Sequence, residues 1–115
     1  NIEDGYVEVD LMGNTTFCNQ KTCQIFGYPR DELMGMNNRQ YMSDEAAKNV
    51  YKAFNKVFRT GLPEKGVAYE IIQKAGTRRI VEINGSLRKN KSGEAEGFNG
   101  IVRDISDRFK VQQSD

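Results

Sequence analysis

The sequence predicts an α+β domain: a five-stranded antiparallel sheet with short helices and one long helix across one face. Three observations carry this reading. First, Arg79 to Leu87 alternates, with Val81, Ile83, Gly85 and Leu87 on one side, and Gly97 to Arg103 is a second strand beyond the turn Lys89 to Gly93. Two long strands joined this way form the centre of a small sheet. Second, Ala47, Val50, Tyr51, Phe54, Val57 and Phe58 recur at helical spacing, with Lys48, Asn49, Lys52, Asn55, Lys56 and Arg59 between them, the pattern of one long amphipathic helix. Third, the links among the last three strands are short, which makes those strands antiparallel neighbours.

Taken in order, Asp4 to Asp10 reads as a short strand because Tyr6, Val7 and Val9 favour extended backbone. Asp10 to Asn14 is a turn and Thr15 to Cys18 a second strand, completing a hairpin. Asn19 can cap a helix over Gln20 to Phe26, which Gly27 ends. Tyr28 to Leu33 holds one more helical turn with Pro29 early in it, closed by Gly35. Met36 to Met42 shows no period and is a loop or a broken helix. Ser43 or Asp44 caps the long helix, and Gly61 and Pro63 end it. Val67 to Lys74 is a strand with Tyr69, Ile71 and Gln73 on one face and Ala68, Glu70 and Ile72 on the other. Ala75 to Thr77 turns into the strand that starts at Arg79. Ser106 can cap a final helix.

The 115 residues suit a single domain. Hydrophobic residues make up 37% and charged residues 29%, but the apolar ones cluster in periodic runs, so a packed core is expected rather than disorder. A net charge of +1 gives no reason to expect a nucleic-acid partner. No apolar run approaches the ~18 residues of a membrane span. The chain starts at Asn1 without Met and stops in a polar tail, so it is expected to be a segment of a longer protein, cytoplasmic, with an anchor elsewhere left open. The absence of histidine removes His-based acid–base chemistry, Ser–His and Cys–His nucleophile pairs, and His ligation of haem or zinc. Cys18 and Cys23 are too few for a disulfide scaffold or a metal site and read as reduced thiols, buried or half-buried. No phosphate-binding loop is present. Acidic neighbours such as Asp44 with Glu45, or Glu94 with Glu96, read as cap charges or solvated faces. No enzyme is visible and no metal site is expected.

Several stations resemble the PAS domain family in joint order and spacing. Ile2-Glu3-Asp4-Gly5-Tyr6 and Val9-Asp10-Leu11-Met12-Gly13-Asn14 are similar to its opening strand and Asp-x-x-Gly turn. Asn19 through Phe26-Gly27-Tyr28, then Glu32-Leu33 and Gly35, resembles its next segment, with Thr22 where Ala is usual. Lys74-Ala75-Gly76-Thr77 resembles its "K-D-G-S" hairpin, Gly93, Gly97 and Gly100 match the glycines of its last strand, and Asp104-Ile105-Ser106 resembles its closing "D-I-T". The resemblance implies a PAS-like five-stranded sheet. Residues 1–105 would form a sensory or interaction module, and residues 106–115 would start a connector helix. The effector would be a neighbouring domain in the same chain, such as the histidine kinase of a bacterial two-component system or a diguanylate cyclase.

In this fold a pocket lies between the sheet's inner face and the helices. Its expected lining is Val50, Tyr51, Phe54 and Phe58 from the helix, with Tyr69, Ile71, Val81, Ile83, Phe98 and Val102 from the sheet. Gly85 and Gly100 leave room either for a ligand or for a neighbour's ring. Haem of the usual PAS kind is excluded by the missing His. A flavin of the light–oxygen–voltage type is disfavoured: Asn37-Asn38-Arg39-Gln40 stands where its reactive Cys would fall, and Ile71, Val81 and Val102 replace its polar contacts. Flavin held without a thiol adduct stays open. No cofactor is therefore assigned. The expected function is sensing of a small apolar or amphipathic molecule; the alternative is a ligand-free dimerisation and relay scaffold. Asp104, Ile105 and Ser106 are the expected output joint. Ile72, Ile80 and Ile101 on the sheet's outer face are the expected contact of a homodimer.

Overall fold

The computed structural model describes residues 4–113. Ile2 and Glu3 of the segment that resembles the PAS opening strand, and Ser114 and Asp115 of the expected connector, lie outside the described residues. The chain runs β1 (Gly5–Asp10), β2 (Thr15–Cys18), α1 (Gln20–Phe26), α2 (Arg30–Leu33), a 3-10 turn (Asn38–Tyr41), α3 (Asp44–Thr60), β3 (Glu64–Ile72), β4 (Arg78–Lys89), β5 (Ala95–Asp104) and α4 (Ser106–Gln113). The sheet order is β2-β1-β5-β4-β3, antiparallel throughout. The first hairpin therefore docks on the last strand, and α3 packs on β3 and β4.

Local chemistry fixes these elements. In the first turn, Asp10 accepts the N–H groups of Met12 and Asn14 at 3.0 and 2.9 Å. Burial pushes its carboxyl up, but those bonds, together with one from the Asn14 side chain, outweigh it and hold the group below its ordinary range. Asn19 caps α1 by accepting the Thr22 N–H at 3.0 Å and also takes the Tyr6 N–H at 3.0 Å, so one side chain joins the helix start to β1. Thr22, where the family usually has Ala, is fully buried, and its hydroxyl lies 2.9 Å from the Tyr6 carbonyl. Pro29 precedes α2 as its N-cap rather than standing inside it. The aperiodic stretch becomes the 3-10 turn, held by a reciprocal cap between Asn37 and Gln40. Single bridges from Asn14 to Asn37 and from Met42 to Ile71 stretch it from the first hairpin to the edge strand. Ser43 caps α3 at the Ala46 N–H, and Gly61 ends it in the left-handed conformation, φ 73°.

The strand alternation matches the sequence reading. Tyr69, Ile71, Val81, Ile83, Phe98 and Val102 all face inward and are buried. The centre of the α3 stripe does not. Ala46, Val50 and Val57 are buried, and Ala47, Ala53 and Phe54 are half-buried, whereas Tyr51 is 71% exposed and Phe58 48% exposed. Helical spacing locates a stripe but not its midline. Small Ala46 and Ala53 extend it on one flank and large Tyr51 and Phe58 on the other, and the helix turns its small flank to the sheet.

Candidate functional site

Helices α1 and α3 cover different parts of the sheet, and the space between them decides where a cavity can lie. Gly5 pairs with Val102 on β5, and α1 presses on it so closely that a Cβ there would stand 2.9 Å from the Thr22 hydroxyl. Gln73 donates to the Ile25 carbonyl at 2.9 Å and ties the end of α1 to β3. On the inner face Ile71, Val81 and Val102 are completely covered. Towards the other end of the strands the helices part.

A cavity of about 830 Å³ occupies that gap. Val7 and Val9 of β1, Phe98 and Gly100 of β5, Ile83 of β4 and Tyr69 of β3 form its floor, and Ala47, Val50 and Phe54 of α3 its roof. Phe26 and Tyr41, with ring centres 4.6 Å apart and planes tilted by 34°, close one wall with Met42. Leu11, Met12 and Tyr51, all exposed, stand at the mouth beside Arg39, Asp44 and Lys48. The charged lining residues are thus all solvent-exposed ones; the uncharged polar side chains of the lining are half-buried Asn38 and Asn99 and the buried phenols of Tyr41 and Tyr69. Burial pushes both phenols up, so both are proton donors at any physiological pH; for Tyr41, the neighbouring Tyr69 adds to the rise and the Thr15 hydroxyl opposes it.

Of the expected lining, Val50, Tyr51, Phe54, Tyr69, Ile83 and Phe98 border this cavity, with Tyr51 at the rim. Phe58 does not, because it lies on the exposed flank of α3. Ile71, Val81 and Val102 do not; all three are completely buried, Ile71 with Met42 bridged to it. Gly85 makes room for a ring: a Cβ there would sit 2.6 Å from Phe54 Cε1. Gly100 likewise admits the end of Ile83, 2.6 Å from where its Cβ would be. Val7, Val9, Phe26, Tyr41 and Met42 were missed. The alternation of β1 carried the signal for Val7 and Val9, and Tyr41-Met42 is a large apolar pair inside an otherwise polar, aperiodic stretch.

The joint between β5 and α4 is tied to β4. Ile105 donates its N–H to the Ile80 carbonyl at 2.9 Å. Ser106 begins α4, yet its hydroxyl accepts the Ile80 N–H at 2.8 Å, so it fastens the helix to the sheet instead of capping it. Asp104 takes the Ser106 N–H at 2.9 Å and the Arg79 Nε–H at 2.8 Å. Burial raises the Asp104 carboxyl, but these bonds outweigh it and leave the group below its ordinary range.

On the outer face the three isoleucines do not form one patch. Arg103, paired with Glu82 across the strands and bonded to Asp4 at 2.9 Å, stands between Ile101 and Ile80. Ile72 and Ile80 are half-buried. Ile101, 36% exposed, pairs with Tyr6, whose ring lies 5.9 Å from that of exposed Phe17. The apolar surface is therefore Phe17–Tyr6–Ile101. Cys18 and Cys23 are buried free thiols with sulfurs 3.9 Å apart, and neither lines the cavity.

A family model described as a PAS domain matches residues 3–107. The chain is a PAS domain. Its fold superposes on the PAS domain of a Colwellia psychrerythraea protein with a TM-score of 0.82 at 19% identity, covering 91% of this chain and 88% of that one. Drosophila melanogaster Cycle PAS-B, solved with bound ethylene glycol, gives 0.79 at 14% identity over 88% and 99%. A light–oxygen–voltage domain from work on a flavin analogue gives 0.74 at 17% identity over 97% and 85%. Such identities carry the fold alone. No curated protein matches the chain. Among the described residues no helix of this PAS domain is long and apolar enough to cross a membrane.

Proposed function

We propose that this PAS domain senses a small apolar or amphipathic ligand held between α3 and the sheet. Its state would pass through Asp104, Ile105 and Ser106 into α4 and on to an effector such as a histidine kinase or a diguanylate cyclase. The observation that carries the reading is the cavity itself: at about 830 Å³ it falls in the range of small-molecule sites, with apolar walls and few polar groups. A likeness in fold to Cycle PAS-B, which was solved with ethylene glycol, is in keeping with a site of this kind. The route to the joint is short. Ile83 borders the cavity, and three residues back on β4 Ile80 holds both Ile105 and Ser106. A ligand that shifted β4 would change the bonds that set the start of α4.

Native mass spectrometry of the purified domain tests this. An added mass that leaves on denaturation supports a ligand; a bare mass moves the reading to the alternative, a ligand-free dimerisation and relay scaffold. The alternative has its own observation, the exposed Phe17–Tyr6–Ile101 surface, which a second copy of the chain would cover. Sedimentation of the wild type and of Phe17→Glu decides that point: a dimer that the substitution breaks supports the homodimer, and a monomer at high concentration rejects it. Regulation in the full-length protein that survives Asp104→Ala would reject the joint as the output route.

A further inference from the structure

We infer that the cavity selects an uncharged, largely apolar molecule bearing one hydrogen-bond-accepting oxygen, a ketone or ester in class, anchored by the Tyr69 hydroxyl. The inference rests on the ligand-sensing reading above and names what that ligand must be.

Tyr69 is only 7% exposed and lines the cavity. Among the described residues, the side-chain polar atoms that are fully occluded and unpartnered are Arg88 Nε and Asn99 Oδ1. The Tyr69 oxygen is not one of them, and among the described residues it makes no hydrogen bond. It therefore faces open volume, a donor without a protein partner. Tyr41, equally buried and close enough for the two phenols to influence each other, has the Thr15 hydroxyl beside it. Buried polar groups are ordinarily paired, so a buried phenol that faces the cavity and has no protein partner marks where a ligand oxygen belongs. That oxygen is neutral. Arg39 and Lys48 stand at the exposed mouth together with Asp44, and a carboxylate placed at Tyr69 would be a buried charge without a counter-ion. The remaining space is lined mainly by apolar side chains, offers water few partners and suits an apolar body. The apolar rim of Leu11, Met12 and Tyr51 suits the same body on its way in.

Three probes of nearly one shape test the inference: acetophenone, α-methylstyrene, which replaces the carbonyl oxygen by CH₂, and benzoate. Each is titrated by NMR into the wild-type domain and into Tyr69→Phe. The expected result is a roughly tenfold loss of acetophenone affinity in Tyr69→Phe, with α-methylstyrene unchanged and benzoate the weaker binder of the two oxygenated probes. The variant should keep its full thermal stability, since the hydroxyl it loses bonds to nothing in the protein. Acetophenone affinity unaltered by the substitution, or benzoate binding more tightly than acetophenone, would overturn the inference while leaving the cavity a ligand site. If none of the three binds the wild type, the ligand-sensing reading falls and takes this inference with it.

Discussion

Substituting Gly85 by Ala should drive the Phe54 ring into the cavity. A Cβ at this position would meet Phe54 Cε1 at 2.6 Å and Cζ at 2.8 Å. Ordinary carbon contacts begin near 3.4 Å, so the ring must retreat by about 0.8 Å, the difference between 3.4 and 2.6. It cannot retreat onto Phe98, on which it already rests edge-on with ring centres 5.0 Å apart, near the short end of aromatic pair separations. The open direction is the cavity, which Phe54 lines. Overpacking of this kind costs about 1–3 kcal/mol. The protein has no tryptophan, so urea unfolding followed by far-ultraviolet circular dichroism is the appropriate assay. In a Phe54→Ala background the added methyl has no ring to meet, and its penalty should fall below about 0.5 kcal/mol. A Gly85→Ala variant as stable as wild type, or one whose penalty is the same with and without the Phe54 ring, would refute the reasoning.

Three further outcomes are expected. Asp104→Ala should lower stability by about 1–2 kcal/mol, because it leaves the Ser106 N–H and the Arg79 guanidinium without their acceptor. The Asp104 carboxyl lies below its ordinary value of 3.8 in the folded state. Its contribution is therefore complete above about pH 4 and disappears as the pH falls through the folded value; the stability gap between wild type and Asp104→Asn, measured against pH, should close there and nowhere above. Burial, with the neighbouring Cys23, pushes the Cys18 thiol up to about 11, leaving roughly one molecule in a thousand as thiolate at pH 8. Reaction with Ellman's reagent should accordingly await unfolding in urea, and rapid labelling of Cys18 in the native protein would contradict its burial.

Most of the fold was legible because its signals are local. Asn19 and Ser43 cap helices by side-chain bonds that depend only on the next three residues, and the two-residue period of β3, β4 and β5 sorted their inner faces correctly. The cavity was legible only in part, because its boundary depends on how far one helix lies from another. Ile71 and Ile83 are both inward-facing strand residues, yet one is sealed and the other borders open space; Met42, bridged to Ile71, and the position of α1, tied to Gln73, are what lies around the sealed one. Thr22 and Gln73 set that position through bonds to distant backbone, at Tyr6 and Ile25, which no period records.

The stretch from Met36 to Met42 makes the same point from the opposite side. It has no repeat because it serves two neighbours at once, bridging to Asn14 at one end and to Ile71 at the other. Its side chains answer to those partners in turn: Asn37 to the hairpin through the Met12 carbonyl and the Asn14 side chain, Tyr41 to Phe26. A helix long enough to show a period would bury one continuous stripe. A wall that holds two edges of a cavity apart must instead alternate its allegiance within a few residues. Aperiodicity with one buried aromatic is thus what the wall of such a cavity should look like in sequence, and Tyr41 and Met42 are where it shows.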